Sequence, residues 1–143
     1  DAFKRFVKAC HQRGIAVLVD VVHNHYGPSD LAIWQFDGWS QDGKGGIYFF
    51  NDARSSTLWG ETRPDYTRAD VRNFIKDQVR MYLDEYHVEG FRWDSVFSMI
   101  YYNNGATHLP EGESLLREIN FRAELFLDSR EMVGEICPAM TRQ

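Results

Sequence analysis

Phe3, Phe6, Val7 and Cys10 recur at helical spacing, Lys4, Arg5 and Lys8 fall on the other side, and Gly14 stands where a left-handed residue would end the helix. Residues 15–22 form an apolar run broken only by Asp20, the pattern of a parallel strand covered on both faces. From His23 to Asp65 the periodicity vanishes into Gly, Pro, Asn, Asp and Trp, a connection far longer than an ordinary strand-to-helix loop. Val71, Phe74, Ile75, Val79, Tyr82, Leu83 and Tyr86 then make an apolar stripe, with Thr67 or Asp70 as the cap of a second helix reaching about Glu85. A short strand over 88–94 leads through an Asn103-Asn104-Gly105 turn to a third helix marked by Leu115, Leu116, Ile119, Ala123 and Phe126. Residues 132–136 read as a last strand.

Helices and strands in alternation imply an α/β fold with right-handed crossovers and a parallel sheet. Each predicted strand ends on an acid: Asp20, Asp94 and Glu135. Any one of them is ordinarily a helix cap or a loop salt bridge. Three at the carboxyl ends of parallel strands converge on one mouth, where parallel barrels keep their catalytic groups. Arg92 lies two residues before Asp94, so both side chains leave one face of the strand, and the fixed guanidinium charge favours an ionised Asp94. Glu135, between Gly134 and Ile136, has a more apolar setting that favours the protonated form. Two carboxylates tuned in opposite directions describe a glycosidase.

Composition narrows the partners. With 43% hydrophobic and 26% charged residues the chain is globular rather than disordered, and a net charge of -5 with scattered basic residues excludes a nucleic-acid footprint. A run of about 20 apolar residues, as a membrane span needs, is absent. Cys10 and Cys137 match no disulfide or metal framework, which favours a reducing, cytoplasmic setting. The chain opens without Met inside a helical pattern and stops just past a strand, so it reads as an internal piece of something longer. His23-Asn24-His25 after a strand also fits a metal site of amidohydrolase-like barrels, but the last predicted strand offers Glu135 and no His as a further ligand.

The segments Asp20-Val21-Val22-His23-Asn24-His25, Gly90-Phe91-Arg92-Trp93-Asp94 and Gly134-Glu135 resemble, in order and spacing, the first three signature regions of the alpha-amylase superfamily. The resemblance implies a partial (β/α)8 TIM barrel: residues 1–143 would be a fragment of the catalytic barrel covering strands three to five, and residues 23–65 a long loop or small inserted subdomain after strand three. By the same resemblance Asp94 is the nucleophile, Glu135 the acid/base and Arg92 the residue that orients Asp94. Asp20 and His25 shape the sugar site, and Asn24 falls where many amylases support a calcium; no other cofactor is implied. The family's fourth region, with its third catalytic Asp, has no counterpart here, so this piece alone is expected to be inactive and, with exposed strand edges, poorly soluble.

Within the family, Asp94-Ser95-Val96-Phe97-Ser98-Met99-Ile100-Tyr101 resembles the stretch after the nucleophile in glycogen and starch branching enzymes. Asn24-His25-Tyr26-Gly27-Pro28 and Trp59-Gly60 are more similar to maltooligosyltrehalose trehalohydrolases. Glu135 is followed by Ile136, where branching enzymes commonly carry a second acid. A hydrolytic alpha-amylase and a barrel that binds carbohydrate without catalysis remain as alternatives. The implied ligand is an alpha-1,4-glucan such as glycogen, amylose or a maltooligosaccharide. Trp34, Phe36, Trp39, Tyr48, Phe49, Phe50 and Trp59 punctuate the long loop. Trp34 and Trp59 are candidates to stack on sugar, about half of the set is expected to pin the loop instead, and Phe49 and Phe50 cannot both face a glucan.

Overall fold

The computed structural model describes residues 1–27 and 32–126. They run α1 (Ala2–His11), β1 (Leu18–Val21), a 3-10 turn (Ala53–Ser55), α2 (Ala69–Asp84), β2 (Gly90–Trp93), α3 (Val96–Ile100), β3 (Tyr101–Tyr102), β4 (Thr107–His108) and α4 (Pro110–Phe126). The strand expected at 132–136, with Glu135, and Cys137 beyond it lie outside the described residues. Among those described, no helix is long and apolar enough to cross a membrane.

β1 and β2 pair in parallel with Asp20 opposite Arg92 and Val21 opposite Trp93. Alternation along each strand puts Val17, Val21, Phe91 and Trp93 on one face, where they join Val7 of α1 and Val71, Ile75 and Val79 of α2 in the core. The opposite face carries Leu18, Asp20, Val22 and Arg92. Leu18 is 47% and Val22 42% exposed: among the described residues the helices pack on one face of the pair only. Asp20 also stands within β1 rather than at its end, because parallel pairing continues through Val21 and on to Asp94, whose N–H donates to the Val21 carbonyl at 2.9 Å.

The helices follow the apolar stripes, with local differences. Gly14 is left-handed (φ 69°), as expected, two residues past the α1 C-cap Gln12. Phe6 is 57% exposed and stacks on Phe3 at 6.3 Å, so Val7 alone of the α1 stripe is fully buried. α2 buries Val71, Ile75 and Val79, but its N-cap is Arg68 rather than Thr67 or Asp70. The Asp65 carboxylate takes the Thr67 N–H at 3.0 Å, the Thr67 hydroxyl at 2.5 Å and Arg68 Nε at 3.0 Å, so Thr67 is spent on an upstream turn before it can cap.

Between β2 and α4 the sequence reading found only a turn. The structure places the short α3 there and a β3–β4 hairpin that pairs Tyr101 with His108 and Tyr102 with Thr107. Asn103, Asn104 and Gly105 all have positive φ, which is why this tripeptide can close so tight a hairpin.

The 23–65 segment is tied to the main core through Phe50, which joins the same cluster as Val71 and Ile75, with Tyr48 packed against it. Phe49 and Phe50 are 0% and 1% exposed, so neither is presented at the surface. The Asn51 side chain donates to the Gly46 and Phe49 carbonyls and accepts the Gly46 N–H, substituting for regular pairing. Arg63, 2% exposed, donates to the carbonyls of Arg54 (2.6 Å), Ser56 (2.8 Å) and Tyr101 (3.4 Å). Burial lowers its pKa. Nothing in the sequence pattern had singled this residue out.

Two stability predictions follow from the packing. A Cβ on Gly112 would lie 1.9 Å from the Met99 carbonyl oxygen, and backbone cannot yield as a side-chain tip can. Gly112→Ala should therefore cost about 1–3 kcal/mol, read as a lower denaturation midpoint of the full-length protein. His23 is buried, with Nε2 donating to Gln78 Oε1 at 2.7 Å and Nδ1 unpartnered among the described residues. Desolvation holds its pKa below the ordinary 6.5, the Gln78 bond acting in the opposite sense. Below that value the unfolded chain takes up a proton that the folded chain resists, so stability is lost as pH falls and is insensitive to His23 above it. The melting temperature should decline below about pH 6.5, and less so in His23→Gln.

Candidate active site

The parallel register creates a charged cluster on the open face of the sheet. Arg92 Nη1 lies 2.6 Å from Asp20 Oδ2, and Nη2 lies 3.6 Å from Asp94 Oδ1. Sequence spacing correctly placed Arg92 and Asp94 on one face, yet the tighter partner is Asp20, across the strand pair. Counting the two strands in register would have revealed it: once Gly90 is set beside Leu18, Arg92 must stand beside Asp20. All three side chains retain access to solvent, so the ion pairs add little stability. Their effect is positional, because a planar guanidinium bridging two carboxylates fixes the separation between them.

Asp94 is fixed through its backbone as well. Its N–H is held by Val21, and its carbonyl accepts a 2.8 Å hydrogen bond from Asn24 Nδ2. The next residue, Ser95, is left-handed (φ 47°, ψ 54°) without being glycine, which turns the chain sharply into α3 and leaves Asp94 at the corner. Non-glycine residues in that region are uncommon and cluster where structure serves a site.

His25 completes the cluster. Its Nδ1 is 2.6 Å from Asn24 Oδ1, and its ring stacks on Trp59 with centroids 4.7 Å apart and planes 12° from parallel. Burial lowers the His25 pKa, while the negative charge of Asp94 acts to raise it. His23, two residues away, belongs to the scaffold: it bonds Gln78, packs on Trp93 at 4.8 Å, and its carbonyl receives the Tyr66 hydroxyl at 2.6 Å. Among the described residues no group of three or more His, Cys, Asp or Glu could hold a metal ion.

The loop aromatics divide. Trp59 is half-exposed beside His25, while Trp34, partly buried, packs against Phe49 at 5.5 Å. Phe36 and Trp39 remain exposed, the latter beneath the Arg68 guanidinium at 5.6 Å. A cleft of about 630 Å³ opens between Thr57, Leu58 and Arg63 on the loop and Phe97 and Tyr101 beyond Asp94. Glu135, the second carboxylate of the sequence reading, lies outside the described residues.

The chain is 34% identical over 134 residues to a 1,4-alpha-glucan branching enzyme of Picrophilus torridus, covering 84% of this chain and 18% of that protein. It is 35% identical over 133 residues to the branching enzyme of Dechloromonas aromatica, covering 87% of this chain and 20% of that protein. A branching enzyme of Dictyostelium discoideum is 36% identical over 107 residues, 73% of this chain and 15% of that one. The chain thus spans about a fifth or less of the curated relatives it matches. Among solved structures, a putative alpha amylase from Salmonella typhimurium superposes with a TM-score of 0.66 at 26% identity, covering 92% of this chain and 19% of that one. The catalytic module of the pneumococcal glycogen-degrading virulence factor SpuA shares the fold, with a TM-score of 0.64 at 24% identity over 93% of this chain and 16% of that one. No protein-family model matches. The described residues form an α/β unit without a closed barrel, built as in alpha-amylase proteins, and the chain belongs to the alpha-amylase superfamily.

Proposed function

We propose that residues 1–143 are strands three to five of a (β/α)8 catalytic barrel, with residues 23–65 inserted after strand three, in an enzyme that branches alpha-1,4-glucan with retention of configuration. The observation that carries this reading is the Arg92 guanidinium set between Asp20 at 2.6 Å and Asp94 at 3.6 Å, on neighbouring parallel strands, with His25 held beside Asp94. The likeness to 1,4-alpha-glucan branching enzymes supports the choice of substrate class and of branching.

In this reading the Asp94 carboxylate attacks the anomeric carbon as the glycosidic carbon–oxygen bond breaks, and Glu135 gives its proton to the leaving oxygen. A hydroxyl of an acceptor glucan then attacks the glycosyl–Asp94 ester and returns a proton to Glu135, which renews both groups. Arg92 keeps Asp94 aimed and spaced from Asp20. His25, braced by Trp59, offers its ring edge to the sugar, and Asp20 accepts from sugar hydroxyls. Trp34, partly buried against Phe49, and Trp59 are the loop tryptophans offered to the sugar in this reading. In this reading the enzyme is cytoplasmic. Hydrolysis of alpha-1,4-glucan is the second reading, favoured by the likeness to the Salmonella protein.

The full-length protein, incubated with amylose, should lose iodine colour without gaining reducing ends. A parallel rise in reducing ends would make it a hydrolase, and trehalose release from a maltooligosyl-trehalose would make it a trehalohydrolase. Asp94→Ala should abolish turnover, by about 10³-fold or more; activity surviving that change removes Asp94 from the chemistry. Glu135→Gln should do the same on unactivated glucan while sparing the first step on a substrate whose leaving group needs no proton.

A further inference from the structure

Asn24 is wholly buried, and its amide faces two groups of fixed character. On one side lies the Asp94 carbonyl, 2.8 Å from Nδ2; a carbonyl oxygen can only accept, so the amide nitrogen must be the atom turned toward it. The amide oxygen then faces His25 Nδ1 at 2.6 Å, and because that oxygen can only accept, Nδ1 must carry the proton. Trp59, stacked at 4.7 Å, fixes the plane of the same ring.

From this geometry we infer that Asn24 is a positioning residue: one amide locks His25 in its Nδ1–H tautomer and anchors the backbone of Asp94, and it does not serve as a calcium ligand. A neutral His25 ring is thereby left with Nε2 as an acceptor, suited to a donor hydroxyl of a sugar rather than to a second acceptor. Among the described residues, the calcium implied by the family resemblance finds no ligand set at Asn24. Calcium takes six to eight oxygens, several of them carboxylates, whereas Asn24 Oδ1 is engaged by an N–H and the described residues gather no acidic ligand group around it.

The inference rests on the proposed roles of Asp94 and His25, and the experiment separates the two. Long-range proton–nitrogen correlation on full-length protein labelled with ¹⁵N-histidine, the His25 signal assigned by its loss in His25→Gln, should show Nδ1 protonated and Nε2 bare at pH 8. Asn24→Ala should shift that signal toward the opposite or mixed tautomer and lower kcat by about 10- to 100-fold, as loss of an orienting partner does elsewhere. Asn24→Asp keeps the acceptor for Nδ1 and loses the donor to Asp94, so it should retain the tautomer while kcat still falls. Chelator and added calcium should leave the melting temperature unchanged.

An Nε2–H tautomer in the wild type, or Asn24→Ala with unaltered kcat and tautomer, overturns the positioning role. A calcium-dependent rise in melting temperature that disappears in Asn24→Ala overturns the exclusion of calcium. If Asp94→Ala remains active, the proposed function itself has failed, independently of the tautomer result.

Discussion

Pairing between β1 and β2 in a single register is the constraint on which the site depends. A slip by one residue would turn Asp20 from the open face of the sheet into the core and push Val19 or Val21 outward. The burial of Val17, Val21, Phe91 and Trp93 against α1 and α2 therefore selects the register, and the register in turn sets Asp20 against Arg92. Apolar packing on one face thus determines the polar geometry on the other. The ion pairs need contribute little to stability, since the hydrophobic face has already fixed where their backbones lie.

A second layer of positioning comes from the chain beyond the strands. Asp94 is held by the Val21 carbonyl before it, the Asn24 amide beside it and the left-handed Ser95 after it. Asn24 and His25 issue from the end of β1, so the same two strands that bring the carboxylates together also deliver the groups that orient them. Trp59 arrives from much farther along the loop and braces the His25 ring. The loop can do this because Asn51 and Arg63, together with its own backbone bonds, satisfy its polar groups internally.

Periodicity made the main helices and both parallel strands legible, because α2 and α4 bury apolar residues at helical spacing, α1 turns Val7 to the core with Phe3 and Cys10 packed beside it, and the strands are short apolar runs. Asp94 and Arg92 were legible for a similar reason: two residues apart on a strand must share a face. What stayed hidden arises from contacts distant in sequence. Leu18 and Val22 read as buried because they are apolar, although the described helices cover only the other face. The Asp20–Arg92 pair spans 72 residues and required knowledge of the register. Arg63 looked like any charged loop residue, since its partners are backbone carbonyls that leave no trace in side-chain pattern. The short α3 and the β3–β4 hairpin were missed because elements of two to five residues are too brief for a period to show, although the Asn-Asn-Gly turn between β3 and β4 was visible.

Arg63 also determines which parts of the chain are modular. Its guanidinium is shared between carbonyls of the loop, at Arg54 and Ser56, and a carbonyl of the hairpin strand, at Tyr101, so these two excursions from the sheet are joined by one buried cation. A loop graft that treated each strand-to-helix connection as a separate cassette would part these partners. A transplanted 23–65 segment would carry a buried charge into a recipient whose backbone does not place a carbonyl where that of Tyr101 stands, and a transplanted hairpin would leave that charge behind. The smallest exchangeable unit is therefore the pair of connections taken together, with the helix and strand between them serving as its frame.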